Sequence, residues 1–246
     1  MGEDRSCPGA EGGVRSIEVK APPERLYGRA RGHALRPRQQ RLLEHALPRF
    51  AFPAAHAADA LVAFGPGVRV LWLEVGAGGG EHAQALAVAH PEAALIACEV
   101  YENGICSLLS RLVPEDAEAV SEVPANLRIW PDDARVLMRS LPDGSLDRLF
   151  LMFPDPWPKT RHAKRRFVHP ALLDEIGRVM RPGAEWRVAT DDPTYQAWVE
   201  EVMGAQSLFA PARPVIVRPA SWPPTRYEAK ARSAGREPRY WSFIRA

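Results

Sequence analysis

Between Phe150 and Arg166 the chain reads F-L-M-F-P-D-P-W-P-K-T-R-H-A-K-R-R. One carboxylate, Asp155, stands between two prolines, and Lys159, Arg161, Lys164, Arg165 and Arg166 follow it. Proline fixes φ, cannot donate to a sheet ladder and pushes the preceding residue towards extended geometry. Asp155 is therefore expected on a stiff turn. The apolar run Leu149–Phe153 reads as a buried strand. That places Asp155 at a strand's C-terminal end, where open α/β sheets bind their ligands. An acid beside a dense cationic loop suits a site that does chemistry with a carboxylate and grips a phosphate backbone next to it.

A second set of residues lies upstream. Gly76, Gly78 and Gly80 follow an apolar run at Val70–Val75, so the backbone can approach a ligand at a helix N-terminus. The dinucleotide fingerprint G-x-G-x-x-G would need glycine at position 81, which is Glu81. Glu74 precedes the turn, Glu99 ends the second predicted strand and Asp133 follows the third. An acid at the second strand's end suits a ribose diol, and Asp133 is placed to accept from an adenine amino group. A ligand with an amino group, a sulfonium, a ribose and an adenine suits such a pocket, which points to S-adenosylmethionine. The bland alternative is a structural turn with solvated acids.

These side chains need a scaffold of alternating elements. Strands are predicted at Val70–Val75, Ala94–Glu99, Asn126–Trp130, Leu146–Phe153 and Ala184–Thr190, with helices between them. Two more strands are expected in the tail, near Phe209–Val217 and Tyr240–Arg245. The alternation predicts an α/β fold with a doubly wound, mostly parallel, seven-stranded sheet. Residues 1–23 read as a polar disordered N-terminus and 24–66 as a basic arm with an amphipathic helix at Arg38–Phe50; 67–246 form the main domain.

Composition is that of a globular protein, 46% hydrophobic and 25% charged. No apolar run approaches about 20 residues, and no secretory signal is read at the N-terminus. Cys7, Cys98 and Cys106 lack metal spacing and read as reduced packing residues of a cytosolic protein. No metal and no membrane are expected. The net charge of +2 conceals an asymmetry. Six arginines and no acid lie between Arg25 and Arg41, and seven basic residues against two acids between Arg218 and Arg245. Between Gly67 and Val120 there are eight acids and two arginines. Basic ends around an acidic middle point to nucleic-acid contact.

Four motifs then carry a resemblance: L-E-V-G-A-G-G-G from Leu73, F-P-D-P-W-P-K-x-R-H-x-K-R-R from Phe153, V-A-T-D-D-P-x-Y from Val188 and R-P-x-S-x-x-P-T-R-Y-E from Arg218. From Tyr27 onward the chain resembles the bacterial tRNA (guanine-N7)-methyltransferases. The resemblance implies a class I, Rossmann-like methyltransferase that uses S-adenosylmethionine on N7 of a variable-loop guanosine, position 46, in the cytoplasm as a monomer or homodimer. It implies cofactor contacts from Glu74, Gly76, Glu99, Val100, Asp133, Ala134 and Asp155, the last also the active-site acid. Lys159, Asp191, Thr225, Arg226, Tyr227 and Glu228 match substrate-binding positions. Arg161, His162, Ala163, Lys164, Arg165 and Arg166 match the RNA-contacting loop, which Arg29, Arg31, Arg36 and Arg38 would supplement. Pro158 departs from the family pattern and should stiffen the turn. Two alternatives stand beside this reading. P-D-P-W resembles the [DN]-P-P-[YFW] turn of enzymes that methylate exocyclic amines, and a non-catalytic RNA-binding module is the other.

Overall fold

The central strands are short aliphatic runs buried on both faces, the pattern of a parallel sheet covered by helices. The computed structural model describes residues 32–246. Its sheet contains β1 (Val70–Val75), β2 (Ala93–Cys98), β3 (Leu127–Trp130), β4 (Leu146–Met152), β5 (Met180–Thr190) and β6 (Arg239–Ile244). The order is β3-β2-β1-β4-β5-β6, with β6 antiparallel to β5 and the other pairings parallel. Strand side chains alternate between faces. Leu149 and Leu151 of β4 join one apolar cluster, and Phe150 and Met152 join the other. Chain direction across the sheet reverses between β1 and β4, so their C-terminal ends flank the switch-point crevice.

Helices α1 (Pro37–Arg41) and α2 (Leu47–Phe50) open the described chain and are joined by one π turn, Leu42–Ala46. The Leu47 N–H reaches back to the Leu42 carbonyl. Pro48 has no N–H, and its ring would crowd the Glu44 carbonyl in a regular α-helix; the wider turn relieves that conflict. Leu42, Ala46 and Phe50 are fully buried in the second cluster. The Phe52 N–H donates to the Ile129 carbonyl, so the segment is anchored on the edge strand. The stretch between this segment and β1 contains a 3₁₀ segment at Ala54–Ala63.

The remaining helices are α3 (Glu81–Ala89), α4 (Glu102–Leu112), α5 (Ala134–Ser140), α6 (Pro170–Val179), α7 (Pro193–Gly204) and α8 (Arg226–Ser233). The sheet has six strands among the described residues, not seven. The Phe209–Val217 segment contributes only two isolated bridges, Phe209 to Arg245 and Val215 to Tyr240. Pro211 and Pro214 interrupt it and cannot donate to a continuous ladder. No helix among the described residues is long and apolar enough to cross a membrane. Arg29 and Arg31 lie outside the described residues.

Candidate active site

The glycine turn follows β1, with Gly76, Gly78 and Gly80 at φ of 72°, 57° and 76°. A side chain at Gly80 would also strike Leu108, whose Cδ1 lies 2.2 Å from an ideal Cβ. Only glycine lets α3 start so close to α4. Glu99, just past β2, holds the turn from outside. Its carboxylate accepts from the N–H groups of Gly78 at 2.6 Å, Val100 at 2.8 Å and Tyr101 at 2.9 Å. Burial nevertheless pushes the Glu99 carboxyl above the ordinary carboxylate range, and Glu74's charge adds to the push.

Glu74 is 2% exposed, with Oε1 3.0 Å from His82 Nδ1. Asp133 caps α5 through the Arg135 N–H at 2.9 Å and is clasped by the Arg135 guanidinium at 2.5 and 2.8 Å. Its carboxylate is thus held by Arg135 while Asp133 still lines the cavity beside Ala134. Glu81, which stands where a dinucleotide fingerprint would have glycine, is paired with Arg111 at 2.7 Å. The acids still converge. Burial raises the Cys98 thiol's pKa well above its ordinary value, and the charges of Asp133, Glu74, Glu99 and Asp132 push it the same way. The donor set of this pocket therefore fits a ligand with cationic and hydroxyl groups, as S-adenosylmethionine has.

A cavity of about 150 Å³ is lined by Gly76, Glu99, Val100, Asp133 and Ala134 on one side and by Lys164, Arg165 and Phe167 on the other. A wider cleft of about 1110 Å³ shares Gly76, Glu99, Val100, Arg165 and Phe167 and extends to Gly78, Asp155, Trp157, Arg226 and Tyr227. The proline-flanked acid, the glycine turn and the basic segment thus line one space.

Asp155 is exposed on a turn flanked by two residues in left-handed geometry, Phe153 at φ 53° and Trp157 at φ 44°. Such conformations cost of order 1–3 kcal/mol each and persist only where neighbours impose them. Here the neighbours are visible. The Phe153 N–H donates to the Ala189 carbonyl at 2.7 Å. Arg166 donates to the carbonyls of Pro156 at 3.1 Å and Trp157 at 3.0 Å. Its guanidinium lies 5.0 Å from the Trp198 ring centroid, and that of Arg165 lies 4.7 Å from Trp157's.

The basic segment is a 3₁₀ helix, Thr160–Arg165, rather than an open loop. Side chains three apart share a face of such a helix. Ala163 and the capping residue Arg166 turn inward, 7% and 4% exposed, so these two do not form the outer RNA-facing surface expected of them. Lys159 and Arg161 are exposed, while His162 and Lys164 are half-buried. Desolvation lowers the His162 pKa, as do the charges of Arg165, Arg161, Lys159 and Lys164. Of the supplementary arginines, Arg38 is spent inside the fold, donating to the Val113 carbonyl and pairing with Glu118.

The T-R-Y-E segment splits. Arg226 and Tyr227 line the cleft, and the Arg226 guanidinium crowds Gly79. Thr225 caps α8 by accepting from the Glu228 N–H at 3.0 Å. Glu228 is buried, pairing with Arg218 at 2.9 Å and Arg232 at 3.2 Å, and Asp191 pairs with Arg236 at 2.5 Å. Neither acid is among the cleft-lining residues, and Glu74 likewise lies just behind the lining, next to Val75 and Gly76. Helical spacing decides this division, and the motif's letters give no sign of it. Trp222 is 3% exposed against Tyr240, whereas Trp157 lines the cleft. Trp72, Trp186 and Trp198 are buried in the core.

A family model described as "Putative methyltransferase" matches residues 68–239. The chain is 61% identical over 230 residues to the tRNA (guanine-N(7)-)-methyltransferase of Granulibacter bethesdensis, covering 93% of this chain and 98% of that protein. The like-named protein of Paramagnetospirillum magneticum is 45% identical over 228 residues, covering 90% and 92%. Among solved structures, a 16S rRNA (adenine(1408)-N(1))-methyltransferase from Catenulisporales acidiphilia matches with a TM-score of 0.51 at 14% identity, over 79% of this chain and 94% of that one. At that identity the likeness speaks for the fold alone.

Proposed function

The chain belongs to the bacterial tRNA (guanine-N7)-methyltransferase family, and on that premise we propose that it methylates N7 of the variable-loop guanosine at position 46 of tRNA. The observation that carries this reading is the shared cleft: Asp155 and Arg165 line the same space as Gly78 and Glu99. When bound, S-adenosylmethionine supplies an electrophilic methyl group on a sulfonium. Glu99 offers its remaining acceptor capacity to the ribose hydroxyls, and Glu74 offers carboxylate charge to the ammonium end.

Guanine N7 has a free lone pair and carries no proton, so no general base is required. Asp155 acts by charge and orientation. It stabilises the positive charge that develops on the guanine ring, and it accepts from the base's N–H edge to hold the ring in line. Alignment of this kind is worth about 7–11 kcal/mol. Trp157 provides a wall for the base, and Lys159, Arg161 and Lys164 meet backbone phosphates. Tyr227 and Arg226 bound the other side of the cleft.

The test is methyl transfer to purified tRNA, followed by borohydride reduction and aniline cleavage. Strand scission at one variable-loop guanosine is expected. A methyl group on an exocyclic amine, or cofactor binding with no methylated RNA, would replace this reading with an alternative.

A further inference from the structure

The glycine turn is bracketed by two polar side chains that pack against each other in a dry place. Glu74 precedes the turn on β1, and His82 follows it in the first turn of α3. Both are nearly inaccessible, at 2% and 4% exposure, and Glu74 Oε1 meets His82 Nδ1 at 3.0 Å. A carboxylate only accepts, so Nδ1 carries the hydrogen. The imidazole is fixed by an edge contact with Phe150, centroids 5.3 Å apart, and Phe150 is also the residue paired with Glu74 across β1 and β4. Ring, carboxylate and strand therefore lock one another.

This lock leaves two buried atoms without a hydrogen-bond partner, His82 Nε2 and Glu74 Oε2, and the acceptor on the carboxylate is the one that bears charge. Its neighbourhood is already negative, since Glu74's charge helps to raise the Glu99 carboxyl. A buried acceptor in a negative pocket calls for a cationic donor. Resting on the reading that this cleft takes S-adenosylmethionine, we infer that His82 is a positioning residue: it holds Glu74 by Oε1 so that Oε2 is kept for the cofactor's ammonium group. His82 acts only through Glu74 and touches no reacting atom.

Isothermal titration with S-adenosylmethionine and with S-adenosylhomocysteine tests the link in four proteins: wild type, His82→Leu, Glu74→Gln and the double variant. His82→Leu should weaken both ligands about tenfold, the scale of losing one buried orienting hydrogen bond. The same change should have no further effect in the Glu74→Gln background. His82→Asn, whose amide can donate to Glu74, should recover most of the affinity. A tenfold loss in both backgrounds, or no loss in either, overturns the proposal. Imidazole ¹⁵N shifts of the wild type give a readout that requires no variant to fold. They should place a hydrogen on Nδ1, and an Nδ1 without hydrogen overturns the link. A wild type that binds neither ligand overturns the cofactor reading as well as the proposal, whereas additive losses in a binding-competent wild type overturn the proposal alone.

Discussion

Asp155 and Glu99 are both carboxylates at strand ends, yet their surroundings give them different work. Asp155 is exposed at the mouth of the cleft, so its charge is screened by water until RNA covers it. Closure of the site by the nucleic acid then makes that charge count. Asp155→Ala should lower kcat by about 10²–10³-fold, the usual cost of losing one electrostatic stabiliser. Filter binding of tRNA should be unchanged, and unaltered turnover would remove Asp155 from the mechanism. Glu99 is buried, and its carboxyl titrates above the ordinary value of 4.5. Protonation removes an acceptor for the ribose, so cofactor affinity should fall as pH drops, beginning earlier than for an exposed glutamate. Titration calorimetry from neutral pH down to 4.5 checks this, and Glu99→Gln should abolish the dependence. The sign for folding is opposite. A raised folded-state pKa means that the folded chain binds the proton more tightly, so the ligand-free protein gains stability as pH falls through that window.

Two elements position these residues, and each depends on one residue. In the P-D-P-W turn Phe153 and Trp157 hold left-handed geometry, and Arg166 ties down the second half of it through the Pro156 and Trp157 carbonyls. Arg166→Leu should leave both carbonyls without that donor and free the turn, at a cost of about 2–4 kcal/mol. For a chain of this size that corresponds to a Tm lower by roughly 5–15 °C, with turnover reduced as Asp155 loses its place. Arg161→Ala, on the exposed face of the same 3₁₀ helix, should leave Tm unchanged and weaken tRNA binding. Differential scanning calorimetry on the two variants separates the roles, and equal Tm values would refute the division. The glycine turn depends on Gly80, where φ is 76° and Leu108 fills the space a side chain would need. Gly80→Ala should displace α3 from α4 and weaken cofactor binding along with stability.

At the scale of the molecule, charge is sorted by position. The net charge is only +2, but exposed Lys159 and Arg161 stand beside an acid-lined pocket. Binding of tRNA should weaken linearly in log Kd against log salt. Lys159→Ala and Arg161→Ala should each reduce the slope by about 0.7–0.9 if each side chain meets one phosphate. Binding that does not change with salt would rule out backbone contact as the main grip. Not every cation takes part, since Arg38 and Arg166 are consumed inside the fold.

Periodicity and punctuation in the chain determined the layered α/β order, the turn after β1 and the acids at strand ends. Those signals are local: an apolar run, a glycine spacing or a proline acts within a few residues. The resemblance named the chemistry through motifs that are likewise short. Tertiary packing decided which members of each motif face the cleft. It turned Arg166 and Glu228 inward, paired Asp133 with Arg135, and reduced the expected seventh strand to two bridges. It also set His82 against Glu74 across a turn of glycines. A side chain's direction depends on partners far along the chain, and no window of sequence contains them.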